Sequence, residues 1–204
     1  MKATARSIAK ITLKFFGLHA PLMAWIDARK VRNIRNKNTN SVLSWQKRFP
    51  YGIFIETGTH KGDMVDAVKR HFRKAYSIEL GDELWRKARE RFKDENHIEI
   101  VHGDSSEMLS RILAHIREPV IFWLDAHDSR GDTVRGKTIT PIEEELEQIF
   151  NHPVKNHVIL IDDARDFTGH GGYPSAARIQ ELARTHNYLF EMKKDNFRLY
   201  PKRA

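Results

Sequence analysis

From residue 50 onward the sequence alternates short apolar runs with helical patterns, and no other feature constrains the fold as much. The runs are 52–56, 74–78, 97–101, 120–124 and 158–161, rich in Ile, Val, Phe and Tyr. Helical patterns lie between them, near 61–72, 82–93, 105–117 and 141–151. Short β-branched runs separated by helices specify an open, mostly parallel sheet covered by helices on both faces. The end differs: 188–192 and 197–200 are strand-like, follow a helical pattern near 174–185, and are joined by the turn-forming 193–196. The expected fold is therefore α/β, Rossmann-like and doubly wound, with a C-terminal antiparallel hairpin closing the sheet. The stretch 127–140, rich in Gly, Asp, Arg and Thr, is a long loop, and long loops in compact domains are often functional.

In such a sheet ligands bind beyond the carboxyl ends of the strands, near the point where strand order reverses. Every one of the first five strands delivers an acid at that end. The first runs into Glu56-Thr57-Gly58-Thr59-His60-Lys61-Gly62, the second into Glu79-Leu80, and the third into Gly103-Asp104-Ser105. The fourth ends in Leu124-Asp125-Ala126-His127 and the fifth in Ile161-Asp162-Asp163-Ala164-Arg165. Gly58 permits a tight turn with close backbone approach. Glu79 lies 21 residues after Gly58, the spacing at which nucleotide-binding sheets place an acid on ribose hydroxyls. Structural roles stand beside these. Glu79 also suits a helix N-terminus, and Asp104 also suits an N-cap.

Charge divides the chain in two. The whole carries +8, but residues 1–50 hold 11 Lys and Arg against the single acid Asp27, a charge of +10. The remainder holds 24 basic and 26 acidic residues, or −2. We therefore divide the chain into a basic N-terminal helical extension, 1–49, and a domain, 50–204. Lys2, Arg6, Lys10 and Lys14 recur every four residues and share one helix face, while Ile8, Ile11, Phe15 and Leu18 form an apolar stripe. Such a helix packs on its own domain, lies on anionic lipid, or contacts nucleic acid. The apolar stretch 15–26 is too short for a membrane span, and Lys14 interrupts any signal-peptide core. Cysteine is absent, which excludes disulfides, a thiol nucleophile and Cys-ligated metal.

These residues resemble the class I S-adenosylmethionine-dependent methyltransferases over about residues 50–201. E-T-G-T-H-K-G is similar to that family's first motif, with Thr59 where a second glycine is usual. The resemblance implies a seven-stranded sheet and S-adenosylmethionine as cofactor. It places Glu56, Thr57, Gly58, Thr59, His60 and Gly62 around the methionine part. It also places Glu79 and Leu80 at the ribose, Asp104 and Ser105 at the adenine, and Asp125 at the cofactor's ammonium group. The first turn lacks the G-x-G-x-x-G of nicotinamide-dependent reductases.

Asp125, Asp162 and Asp163 end neighbouring strands. In the metal-dependent O-methyltransferases that they resemble, acids at these two strand ends bind a divalent cation. Three carboxylates suit Mg²⁺, which would hold substrate oxygens and lower a hydroxyl's pKa. The competing reading has Asp162 and Asp163 capping a turn and pairing with Arg165. His127, beside Asp125, is the candidate general base, and both are candidate catalytic residues. Tyr173, in the glycine-rich 170–174 stretch, is a candidate lining residue for the acceptor pocket.

The expected activity is O-methylation of a hydroxylated small molecule or glycan. The resemblance suggests enzymes of bacterial surface polysaccharides. The expected setting is the cytoplasm, with residues 1–37 holding the enzyme to an anionic inner membrane face. The alternatives are an RNA or other nucleic-acid methyltransferase using the basic N-terminus, and a non-catalytic cofactor-binding domain.

Overall fold

The computed structural model describes residues 36–125 and 140–202. The expected amphipathic helix near 2–18, Arg29, Lys30, Arg32 and Arg35 of a second basic cluster that runs on to Lys37, His127 and the rest of 126–139 lie outside the described residues. The chain divides into two units at Asn40/Ser41. Of the first unit only 36–40 are described, and they are helical. Among the described residues no helix is long and apolar enough to cross a membrane.

The second unit begins with helix α1 over 41–48. It continues with β1 (Ile53–Thr57), α2 (Asp63–Val68), β2 (Lys74–Glu79), α3 (Asp82–Arg91), β3 (Ile98–His102) and α4 (Ser105–Leu113). Then come β4 (Ile121–Leu124), α5 (Ile142–Asn151), β5 (Val158–Ile161), α6 (Ala176–Thr185), β6 (Tyr188–Lys193) and β7 (Asn196–Pro201). The seven strands form one sheet in the order β3-β2-β1-β4-β5-β7-β6. The first five are parallel, and β7 enters antiparallel between β5 and β6. This is the expected Rossmann-like fold, with strand order reversing between β1 and β4.

The central strands β1, β4 and β5 are buried on both faces, which is why they read as unbroken apolar runs. Alternation assigns their side chains to two cores. Ile53, Ile55, Phe122, Leu124, Ile159 and Ile161 pack with α4, α5 and α6. Phe54, Ile121, Trp123, Val158 and Leu160 pack on the other face, with Val68 of α2 and with Val42, Trp45 and Phe49. Packing of this unit therefore begins upstream of residue 50, through an i, i+3, i+7 stripe on and just after α1.

Element ends follow local chemistry. A helix expected from residue 61 starts at Asp63, because Gly62 takes a left-handed conformation (φ 74°) that L-residues resist. A Cβ at Gly62 would also stand 2.7 Å from the Phe92 ring. The helix expected over 105–117 ends at Leu113. The next amides, of His115 and Ile116, turn back to carbonyls only three residues earlier, tightening the final turn. The β6–β7 hairpin closes through Lys194 and Asp195, both with positive φ (54° and 69°), as a two-residue turn matched to strand twist requires.

A pair of buried histidines lies at the opposite edge, where β4 and β5 begin. The Val120 amide donates to His157 Nδ1 (3.1 Å), so the His157 proton sits on Nε2 and faces His152 Nδ1 (3.3 Å). His152 Nε2 in turn donates to the Leu113 carbonyl (3.0 Å). The Val154 carbonyl lies equally close to His152 Nδ1 (3.3 Å). Burial, with the neighbouring His152, pulls His157 down to about 4.

Candidate functional site

The ladder between parallel strands continues one residue past each strand end. The Gly103 amide donates to Glu79 O (2.9 Å), Asp125 to Thr57 O (3.1 Å) and Asp162 to Leu124 O (3.0 Å). Backbone register thus holds the strand-end residues level at one edge of the sheet, on both sides of the β1/β4 reversal.

The turn after β1 is tied to β2. Gly58 (φ 83°) and Thr59 both donate to the Ile78 carbonyl, at 3.0 and 3.1 Å. The His60 amide donates to Glu79 Oε2 (2.7 Å), and the Gly81 amide donates to Glu79 Oε1 (2.8 Å). Each carboxylate oxygen of Glu79 is thereby fixed by one backbone amide, and the residue is 5% exposed. The His60 ring is exposed, and Leu80 is half-buried beside Glu79.

Glu56, like Glu79, is a buried strand-end acid. Its alternation places it beside Phe54, on the α2 face, where it is only 2% exposed. Ser77 donates to its Oε2 (2.6 Å), and the Thr59 hydroxyl lies 2.6 Å from Ser77 Oγ. Since the one Ser77 proton goes to Glu56, Thr59 supplies the other. Burial pushes the Glu56 carboxyl well above the usual range, against that hydrogen bond and with help from the charges of Asp125, Glu79 and Asp63. Glu56 therefore braces the turn from beneath.

At the β3 end Asp104 caps α4. Its Oδ1 accepts from the Ser106 amide (2.9 Å) and hydroxyl (2.8 Å). The expected capping role is real, and it fixes the orientation of the carboxylate. Ser105 and Thr57 are both buried, and both neighbour Glu145 of α5. Glu145 has no exposure, and burial pushes it up to about 7 against the side chains of Ser105 and Thr57. In the sequence the acidic run 143–147 conceals it. The signal was available: Glu145 stands three residues after Ile142 and one before Leu146, on the apolar stripe of its helix.

Beyond β4 and β5, carboxylate oxygens of Asp125, Asp162 and Asp163 all lie within 4.8 Å of one another. Asp163 adopts a left-handed backbone (φ 52°), a conformation that Asp tolerates better than most residues. Asp162 is pushed up to about 7, first by burial and then by the charges of Asp125 and Asp163. Its Oδ1 accepts from Asn196 Nδ2 (2.7 Å). Arg165 pairs with Asp163 (2.6 Å) and with Asp195, so the pairing expected from sequence is present alongside the cluster. Asn196 and Asp195, at the hairpin turn, were not anticipated as neighbours. Carboxylates crowded until one resists ionising, with oxygen as the only donor type, fit a hard divalent cation.

The fold brings together Glu79, Asp104, Asp125, Asp162 and Asp163 at one sheet edge, with Gly58, Thr59, His60 and Gly62 forming the turn between them. Tyr173 packs against the ring of Phe167 (5.5 Å between centroids), in the segment that follows β5.

No protein-family model and no curated protein matches this sequence. Solved structures do match. A methyltransferase from Podospora anserina bound to S-adenosylhomocysteine aligns at TM-score 0.57 and 12% identity, over 81% of this chain and 78% of its own. An O-methyltransferase from Bacillus cereus in complex with S-adenosylhomocysteine aligns at 0.55 and 16%, over 82% and 81%. The N-methyltransferase NodS from Bradyrhizobium japonicum aligns at 0.55 and 12%, over 82% and 96%. Together with the strand order and the closing antiparallel hairpin, these likenesses give the chain the fold of the class I S-adenosylmethionine-dependent methyltransferases.

Proposed function

We propose that the chain is an S-adenosylmethionine-dependent O-methyltransferase acting on a hydroxylated small molecule or glycan, with a divalent cation at its acid cluster. The observation that carries this reading is the placement of two acid sets, level at one sheet edge and on opposite sides of the strand reversal. Glu79 and Asp104 belong to one set, and Asp125, Asp162 and Asp163 to the other.

In this reading Glu79 accepts from the ribose hydroxyls, and Asp104 from the adenine amine. The turn 58–62 passes under the methionine part, and Asp125 also faces its ammonium group. Asp125, Asp162 and Asp163 would hold Mg²⁺. The two bound groups supply an electrophilic methyl on a sulfonium and Lewis acidity at the acceptor's oxygens. The chain itself aligns donor and acceptor and takes the acceptor's hydroxyl proton, a task assigned to His127. A vicinal diol or a catechol has the two adjacent oxygens that such a cluster selects.

Calorimetry with S-adenosylhomocysteine tests the cofactor half: Asp104→Ala should weaken binding, and unchanged affinity would refute it. Turnover measured on diol and catechol acceptors tests the metal half. EDTA should abolish it and Mg²⁺ restore it, and full activity in EDTA removes the cation. Methylation of RNA, but of neither acceptor, would transfer the reading to a nucleic-acid substrate.

The +10 charge of residues 1–50 supports a second proposal, that residues 1–37 dock on an anionic membrane surface. Removing residues 1–16 should release the protein from vesicles containing anionic lipid. Retention of the shortened chain would place the attachment elsewhere.

A further inference from the structure

Helix α5 carries a buried glutamate, Glu145, and a half-buried glutamine, Gln148, whose Oε1 is itself enclosed. Glu145 is wholly buried within the stripe of Ile142, Leu146, Ile149 and Phe150. Its Oε1 has no hydrogen-bond partner among the described residues. Its Oε2 takes a long contact from Thr57 Oγ1 (3.5 Å), and the Ser105 side chain is the carboxyl's other polar neighbour. Gln148 is one turn further along. Its Nε2 donates to the Ser106 carbonyl (2.6 Å), while its Oε1 is also buried without a partner among the described residues. Orphaned buried acceptors lower stability, and a buried acid with one loses more still. Packing does not explain Glu145, since leucine fills a similar space without that loss.

Both side chains are turned toward the same feature. Glu145 neighbours Thr57, the last residue of β1, and Ser105, the first of α4. Gln148 holds the next carbonyl, that of Ser106, whose own amide and hydroxyl fix Asp104. The Thr57 carbonyl in turn receives the Asp125 amide. One helix face therefore braces, from behind, the ends of β1 and β3 that carry the acid edge.

We propose that Glu145 and Gln148 are positioning residues, which fix the turn presenting Asp104 and Ser105 so that it fits the adenosine part of the cofactor. The proposal rests on the cofactor reading above. It assigns to these residues no contact with the cofactor. They act through Thr57, Ser105 and Ser106, and the protein accepts lower stability to keep that turn in one geometry.

The test compares the full chain with Glu145→Leu, Glu145→Gln and Gln148→Met, by calorimetry with S-adenosylhomocysteine and by urea unfolding. Glu145→Leu should unfold at the same or higher urea concentration, yet bind about tenfold more weakly, since it loses both the polar contact and the turn it orders. Glu145→Gln, which keeps the shape and an acceptor oxygen, should bind within about threefold of wild type. Opposite movement of stability and affinity, with rescue by glutamine, is not what a merely structural residue gives. Wild-type affinity in Glu145→Leu, or an equal loss in Glu145→Gln, overturns the proposal. If Glu145→Leu fails to fold, Gln148→Met decides: weaker binding supports the proposal and wild-type affinity overturns it. Wild-type protein that takes up no S-adenosylhomocysteine refutes the cofactor reading itself.

Discussion

The relay between His152 and His157 makes acid stability a quantitative test of the fold. His157 is held near 4 in the folded chain against about 6.5 for an unfolded histidine. Between those values the unfolded chain binds a proton that the folded chain refuses, so this residue makes stability fall as pH falls. The slope approaches about 1.4 kcal/mol per pH unit, and the total lost below pH 4 is about 3 kcal/mol. Above pH 6.5 the contribution is complete and flat. The raised carboxyls of Glu56 and Glu145 act in the opposite sense, so the wild-type curve alone cannot isolate the histidine. The comparison needed is His157→Asn, whose Oδ1 can replace Nδ1 as acceptor for the Val120 amide but does not titrate. Urea unfolding of both proteins at closely spaced pH values from 4 to 7.5 supplies it. The variant should be less stable at pH 7, through loss of the ring and of its edge contact with Phe122 (5.3 Å between centroids). The difference between the two should shrink steadily from pH 6.5 down to 4. Parallel curves across that interval would refute the lowered titration of His157.

Other perturbations reach other parts of the molecule. Trp45→Ala should cost about 3–5 kcal/mol in urea unfolding, because Trp45 is 4% exposed and packs on Tyr200; a small loss would detach α1 from this core. Gly62→Ala should cost about 2 kcal/mol, combining a left-handed backbone with a close approach to Phe92. Asp104→Ala should lower stability by about 1 kcal/mol through loss of the cap, separably from any effect on cofactor affinity. Asp162→Asn should raise thermal stability without metal by relieving crowded charge, and should abolish any Mg²⁺-induced rise in melting temperature. A rise that survives would move the cation away from this cluster.

Much of this architecture was legible in the sequence for a simple reason. Parallel strands buried on both faces must be short, apolar and β-branched, so 158–161 could be read to the residue, and each strand's end was marked by its acid. What escaped depended on contacts between distant segments. Asn196 meets Asp162 only because β7 inserts beside β5, which no local pattern announces. The α1 stripe was hidden by basic and Asn-rich neighbours that drew attention to charge. Glu56 reads as one more acid at a strand end, although its period-2 partner Phe54 places it on a buried face. Glu145 is concealed among Glu143, Glu144 and Glu147, while its place on the apolar stripe is the more telling property.

The insertion of β7 also orders events in time. The strand that completes the sheet beside β5 is later in the chain than every other strand, and its turn supplies both Asn196 to Asp162 and Asp195 to Arg165. During synthesis, strands β1 to β5 can leave the ribosome with their acid cluster still lacking these partners. A nascent chain stopped near residue 187 would thus carry an almost complete sheet with an unpaired β5 edge and unbraced carboxylates. Docking of the hairpin is thus the step that pairs the β5 edge and brings Asn196 and Asp195 to the cluster.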